Sequence, residues 1–189
     1  MQKLITSIRV FLVFTILLGL VYPLLIMVIG QTIFPYQAKG SLIIYQGKTI
    51  GSALIAQEFT SDKYFHSRFS AVNYNASHSG GSNLAMSNAS LYQQVEKHIA
   101  QVKLENNLPP DAKLPADMVL NSASGLDPHI SLANAMLQLP RVMKVRNLSK
   151  EKIKKLIYDC FDPDFIGIWG QKGVNVLKLN LALDGVEAR

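Results

Sequence analysis

From Val10 to Ala38 the chain carries no Lys, Arg, Asp, Glu or His, and 15 of the 20 residues from Val10 to Ile29 are Leu, Ile, Val or Phe. At about −0.3 to −0.6 kcal/mol per residue, such side chains together favour bilayer insertion by roughly 4.5–9 kcal/mol. A 20-residue helix rises about 30 Å, the thickness of one hydrocarbon core. Gly19, Pro23 and Gly30 interrupt the run, but membrane helices tolerate both residue types. Tyr22 falls near mid-span, where its hydroxyl is better served by a protein neighbour than by lipid. A cleaved signal peptide carries an apolar core of about 7–15 residues and a small-residue cleavage site; here the run is longer, and Gln37-Ala38-Lys39 is a poor site. The pattern predicts an amino-terminal segment over 1–9, a retained transmembrane helix over 10–34 and a soluble domain over 39–189. Lys3, Arg9 and the α-amine precede the span; Lys39 and Lys48 follow it. The leading charges lie closer, so the positive-inside rule favours a cytoplasmic amino terminus and a domain outside the cell membrane.

Beyond the span the period changes. Leu42 to Tyr45, the Gln46-Gly47 pair and Lys48 to Ile55 predict a hairpin. In the polar stretch from His66 to Ser90, 13 of 25 residues are Ser, Asn or Gly, and loops of this length are usually functional or disordered. Ser90 with Gln93 three residues on forms a capping-box pattern, and Leu91, Val95, Ile99 and Val102 line one helical face. Leu108-Pro109-Pro110-Asp111 breaks the chain. Asp117 to Leu120 predicts a short strand, followed by a turn reaching Pro128. Ser131 is placed to cap a helix running towards Arg146, which Pro140 is expected to kink or split. Ser149 is placed to cap another, with Ile153, Leu156, Ile157 and Cys160 on one face. Alternation of Leu177, Leu179, Leu181 and Leu183 with Lys178, Asn180 and Ala182 predicts a closing strand. Strands at both ends with helices between imply an α/β (mixed α+β) single soluble domain anchored by one N-terminal transmembrane helix.

Composition fits this division. Only 17% of the 189 residues are charged and mean hydropathy is +0.17, against about 25% charged residues in ordinary soluble domains. The apolar excess belongs to the span, and residues 39–189 suffice for one globular core. A single cysteine, Cys160, excludes a disulfide-stapled miniprotein. The formal charge of +6 divides into +2 ahead of the span and +4 on the domain, which holds 17 basic and 13 acidic residues. That balance is no nucleic-acid footprint. The run Arg141, Lys144, Arg146, Lys150, Lys152, Lys154 and Lys155 has no interleaved aromatic side chain to stack bases, and reads as a solvated helix face or protein-docking patch.

Candidate chemistry is sparse. Gly47-Lys48-Thr49 resembles the end of a P-loop, but Leu42 stands where the motif needs its first glycine. Ser149-Lys150-Glu151-Lys152 fits the S-x-x-K of penicillin-recognising enzymes without a late K-T-G, and Asn121-Ser122-Ala123-Ser124-Gly125 lacks the first glycine of a nucleophile elbow. His66, His78, His98 and His129 have no metal-ligand spacing. Asp127 and His129 around Pro128 form either an acid–base pair or, more simply, a turn-stabilising one. Cys160 on an apolar helical face reads as core. A membrane-anchored, outward-facing serine hydrolase using Ser149 or Ser124 is the alternative from a different functional class, and a basic lipid- or nucleic-acid-binding module is a third.

Several ordered blocks are similar to KdpC, the C subunit of the Kdp potassium-transporting ATPase. They are Tyr64-Phe65-His66-Ser67-Arg68, Tyr74-Asn75, Ser79-Gly80-Gly81-Ser82-Asn83-Leu84, Ser124-Gly125-Leu126-Asp127-Pro128-His129-Ile130-Ser131, Arg141-Val142 and the terminal Val174 to Asp184. With the apolar helix they cover nearly the whole chain. Departures are local: Ser67 where Gly is usual, Ala85-Met86 where Gly-Pro is common, and Pro140 before Arg141. The resemblance implies an accessory subunit of a high-affinity, ATP-driven potassium uptake complex, without catalytic residues or a metal of its own. It would lie in the bacterial inner membrane and partner the channel-like A subunit, the P-type ATPase B subunit and the lipid bilayer, not nucleic acid. It also implies a catalytic chaperone that raises the B subunit's affinity for ATP, with no firmly bound cofactor but ATP possible in a shared complex. The residues so indicated for partner docking or nucleotide contact are Ser79, Gly80, Gly81, Ser82, Asn83, Ser124, Gly125, Asp127, Pro128, His129, Gln138 and Arg141. A domain outside the membrane cannot touch cytoplasmic ATP, which favours docking against the A subunit for this glycine-rich loop.

Overall fold

The computed structural model describes residues 1–163 and 170–185. The chain divides into two units, Met1–Leu42 and Ile43–Arg189; of the domain expected over 39–189, residues 164–169 and 186–189 lie outside those described.

The first unit is dominated by α1 (Gln2–Ile33), long and apolar enough to cross a membrane, with none of its residues buried. It starts well before Val10. Thr6 and Thr32 return their hydroxyls to the carbonyls of Gln2 (3.0 Å) and Val28 (2.8 Å), so these polar groups need no outside partner. Leu17–Val21 widens into a π turn just ahead of Pro23. Proline lacks an N–H and crowds the carbonyl four residues back, here that of Gly19, and a wider turn relieves both problems. A one-turn helix, α2 (Pro35–Ala38), follows.

The second unit opens on the expected hairpin. β1 (Leu42–Tyr45) and β2 (Lys48–Ser52) are joined by Gln46 and Gly47, both with positive φ (48° and 76°), the conformation a two-residue type I′ turn demands. β2 stops at Ser52, short of Ile55. Helix α3 (Ala89–Glu105) begins two residues earlier than the Ser90 pattern predicts, because Asn88 is the cap: its side chain accepts the Ser90 N–H at 2.9 Å. Asp117 to Leu120 is not a strand. Ala116–Met118 forms a single 3₁₀ turn after Pro115, whose carbonyl accepts the Met118 N–H at 3.0 Å.

Ser131 and Ser149 cap α4 (Leu132–Arg146) and α5 (Lys150–Asp159) as expected, accepting the N–H groups of Asn134 and Lys152. Pro140 does not split α4, which runs through it; the ring is exposed, so it meets solvent and not a packed neighbour. A three-stranded antiparallel sheet sets β5 (Gly173–Asn175) between β3 (His129–Ile130) and β4 (Phe161–Asp162), with Ile130 and Phe161 both opposite Val174.

The closing strand is a helix, α6 (Val176–Leu183), capped by the Asn175 side chain at 3.1 Å from the Lys178 N–H. The alternating leucines serve two faces at helical spacing. Val176, Leu179 and Leu183 pack into the main core with Phe65, Ile130, Leu139, Val142, Ile153 and Ile157. Leu177 and Leu181 pack with Ile43, Ala53 and Ile50 of the hairpin region. A helix buried on two sides imitates strand alternation. A third cluster, Val102, Met118 and Val119, seats the apolar face of α3.

Candidate functional site

The polar stretch after His66 has no regular element before α3, yet it is closely bonded to the 121–129 turn. Gly80 N–H donates to the Ser124 carbonyl (2.8 Å), Ser79 Oγ to the same oxygen (3.1 Å), and Ser122 N–H to the Phe69 carbonyl (2.9 Å). The two serine–glycine motifs therefore meet backbone to backbone. Glycine is required at two of these contacts. A Cβ on Gly81 would lie 2.8 Å from the Ala123 carbonyl oxygen. One on Gly125, where φ is +69°, would lie 2.5 Å from Val72 and 2.7 Å from the Gly80 oxygen. Ser124 Oγ accepts the Leu126 N–H (3.2 Å) and lies 3.3 Å from Ser122 Oγ, an ST-turn that ties the bend together. Ser79, Asn83, Ala123 and Ser124 are exposed along this seam, while Gly125 is buried and Ser82 is half-buried.

The following residues form a structural corner. Asp127 accepts the His129 N–H (3.0 Å) and pairs with Arg68 Nη1 (2.9 Å). His129 Nε2 faces Asp162 (2.9 Å) across the sheet, whereas its Nδ1 is 3.9 Å from Asp127. The Pro128 carbonyl accepts the Val176 N–H (2.9 Å), locking the start of α6. Asp127 thus works as the turn stabiliser, and the closer carboxylate on His129 is Asp162.

Gln138 and Arg141 lie elsewhere, on the inner face of α4. Gln138 is only 3% exposed. Its oxygen accepts the His66 N–H (2.7 Å) and Arg141 Nη2 (2.8 Å), and its amide donates to the His66 carbonyl (3.1 Å) and Asn134 (2.8 Å). Arg141 donates to Asn106 and to the carbonyls of Asp62 and Tyr64 (2.7 and 2.9 Å). On α6, Asn180 accepts the Phe65 N–H (2.8 Å) and donates to the Phe65 carbonyl (2.9 Å). Together these side chains replace a β-ladder for residues 62–66 and satisfy a buried extended backbone. Burial pulls the Arg141 guanidinium down from its ordinary value, with Asp62 and Glu105 opposing.

Sequence reading passed over Asn180, Asn134, Asp117 and Asn106. Asp117 accepts from the Ser131 N–H and hydroxyl and from Asn134 (2.8–3.0 Å), which fixes the head of α4. A signal existed: Asn134, Gln138 and Arg141 recur at i, i+4 and i+7 beside the apolar stripe, marking a polar line on a buried face. His98 on α3 stacks on Phe69 at 3.6 Å and 7°, and its Nδ1 lies 2.8 Å from the Val119 carbonyl.

A family model described as KdpC, the K+-transporting ATPase c chain, matches residues 4–185. The chain belongs to the KdpC family. Among curated relatives, a protein of Caldanaerobacter subterraneus subsp. tengcongensis named potassium-transporting ATPase KdpC subunit is 48% identical over 177 residues, covering 94% of this chain and 92% of its own. Proteins of the same name from Mycobacterium tuberculosis and Rhodopseudomonas palustris are 46% and 44% identical, covering 97% and 93% of this chain and 98% and 92% of theirs. In this KdpC-family chain the serines of the hydrolase alternative are engaged in structure. Ser149 Oγ caps α5, and Ser124 Oγ makes the turn contacts above; neither bonds a histidine among the described residues.

Proposed function

We propose that the chain is the accessory, non-catalytic subunit of an ATP-driven potassium uptake complex, anchored by α1, and that its serine–glycine seam docks against the potassium-selecting A subunit outside the membrane. The observation carrying this reading is the seam itself. Two glycines pack against backbone, and small exposed side chains beside them leave a rigid, low-relief surface that a partner's main chain can approach closely. An effect on ATP affinity in the P-type ATPase B subunit then passes through the assembly and needs no nucleotide contact. Two features support this indirect route. Gln138 is enclosed and spends its amide on protein groups. The cavity beside it carries Glu58 and Glu105, and its lining includes no Lys or Arg to match a triphosphate.

Sidedness is tested with Asn83→Cys in intact cells and a membrane-impermeant maleimide. Labelling before permeabilisation is expected; labelling only afterwards overturns docking outside. The native thiol adds little background, because burial pushes Cys160 up to about 11. Docking is tested with Ala123→Lys and Ala85→Arg, exposed positions on and beside the seam. Recovery of the A subunit in mild detergent should fall severalfold with an unchanged melting curve, and full recovery with both variants would remove the seam from the interface.

A further inference from the structure

A cavity of about 380 Å³ opens between the 58–74 segment and α3. Its inner lining combines Phe59, Phe69, Val102 and Met118 with the buried amides of Asn106, Asn134 and Gln138 and the His66 ring, and its rim bears Glu58, Glu105 and Tyr74. The two carboxylates differ. Glu105 is engaged: His66 Nδ1 stands 3.4 Å away and Gln101 donates at 2.8 Å. Glu58 is exposed and has no ion pair or side-chain hydrogen bond among the described residues. Tyr74 is held in the lining by its hydroxyl, which donates to the Arg68 carbonyl at 2.8 Å, and by its N–H, which donates to Ser70 Oγ at 3.0 Å. Burial, then the charge of Glu58, push that hydroxyl up to about 12, so the phenol stays neutral. This acidic rim sits on a domain whose net charge is positive.

We infer that this cavity binds a guanidinium or ammonium group carried on an apolar stem, with Glu58 as its counter-ion and the Phe59, Phe69 and Tyr74 side chains around the stem. The chemistry follows from the lining. An anion meets Glu58 and Glu105 and finds no Lys or Arg there, the one imidazole, His66, already facing Glu105, whereas an arginine or lysine side chain pairs its head with Glu58 and lays its methylenes against Phe59, Phe69 and Met118. A cavity of this size lies within the range that takes a small ligand, and aromatic rings beside a carboxylate add cation–π attraction. The group has two sources, an arginine or lysine of a partner subunit or a free amine.

The probe is L-argininamide, titrated against the full chain in detergent micelles by ligand-observed NMR, with uncharged L-citrullinamide as the shape control. Saturable binding of the first and none of the second is expected. Glu58→Gln should weaken argininamide by about three- to tenfold, the span covered by half-exposed ion pairs and charge-assisted bonds, while Glu151→Gln on α5 should leave it unchanged. Absence of saturation up to about 50 mM, equal binding of citrullinamide, or equal effects of the two variants overturns the inference. Where argininamide binds, Glu58→Lys tells the sources apart. Reduced co-purification with the ATPase subunits identifies a partner's side chain, and undiminished co-purification with lost argininamide binding identifies a free cation.

Discussion

Gly125 and Gly47 both sit in the left-handed region, but only one is also crowded. At Gly47 a Cβ meets nothing within 4 Å, so Gly47→Ala bears the conformational term alone, about 1 kcal/mol. At Gly125 the same methyl is driven into Val72 and the Gly80 carbonyl, and Gly125→Ala should lower unfolding free energy by at least about 2–3 kcal/mol. Urea titration of both variants measures the difference, and equal losses would mean the seam yields freely. Cys160 offers a chemical check at the same scale. With its pKa raised from 9.0 to about 11, the thiolate fraction at pH 8 is roughly a hundredth of that of an unperturbed thiol. Its alkylation should be slower by at least that factor and should accelerate steadily towards pH 11.

Among elements, the segment from Asp62 to His66 is held by side chains of α4 and α6 and not by strand pairing. Asn180→Leu keeps the branched shape, with somewhat more bulk, but orphans the N–H and carbonyl of Phe65, itself fully buried. Each orphan costs about 1–3 kcal/mol, so a loss of about 2–6 kcal/mol is expected in chemical denaturation, against under about 0.5 for Gln93→Ala at an exposed position of α3. Pro140 in α4 points the other way. A helix-interior proline costs about 3 kcal/mol, while its stiffening of the unfolded chain returns about 1. Pro140→Ala should therefore stabilise the domain by roughly 2 kcal/mol.

For the whole molecule, acid lability has a named source. The hydrogen bond from His66 holds Glu105 below the ordinary carboxylate value of 4.5, against its burial and with help from Gln101. A carboxyl depressed in the folded state contributes stability that is present above the unfolded value and disappears as pH falls through the folded one. The melting temperature should thus decline on acidification below about pH 4.5, and Glu105→Gln should be less stable at neutral pH but decline less steeply. Asp184 is also lowered; burial opposes the shift, but hydrogen bonds from Tyr64 and Arg146 outweigh it, so part of the acid slope persists in that variant. Anchorage is a property of the whole chain as well. Removing residues 1–34 should abolish co-purification with the pump, and a truncated domain recovered at full yield would make α1 dispensable for assembly.

What could be read from the linear chain is what local physics decides. The membrane helix follows from a charge-free run, the hairpin from Gln46-Gly47, and the caps of α4 and α5 from Ser131 and Ser149, because each depends on neighbours within a few residues. The KdpC-like blocks were likewise readable as words in order. The fate of Leu177 to Leu183 was not, since the same alternation suits a strand with one wet face or a helix pressed between two clusters, and only the positions of Ile43 and Val142 choose between them. Nor does any period link Gly80 to Ser124 or Asn180 to Phe65 across 44 and 115 residues. Those pairings arise because collapse buries backbone that must find hydrogen-bond partners, and which partners are near is a fact of the folded state alone.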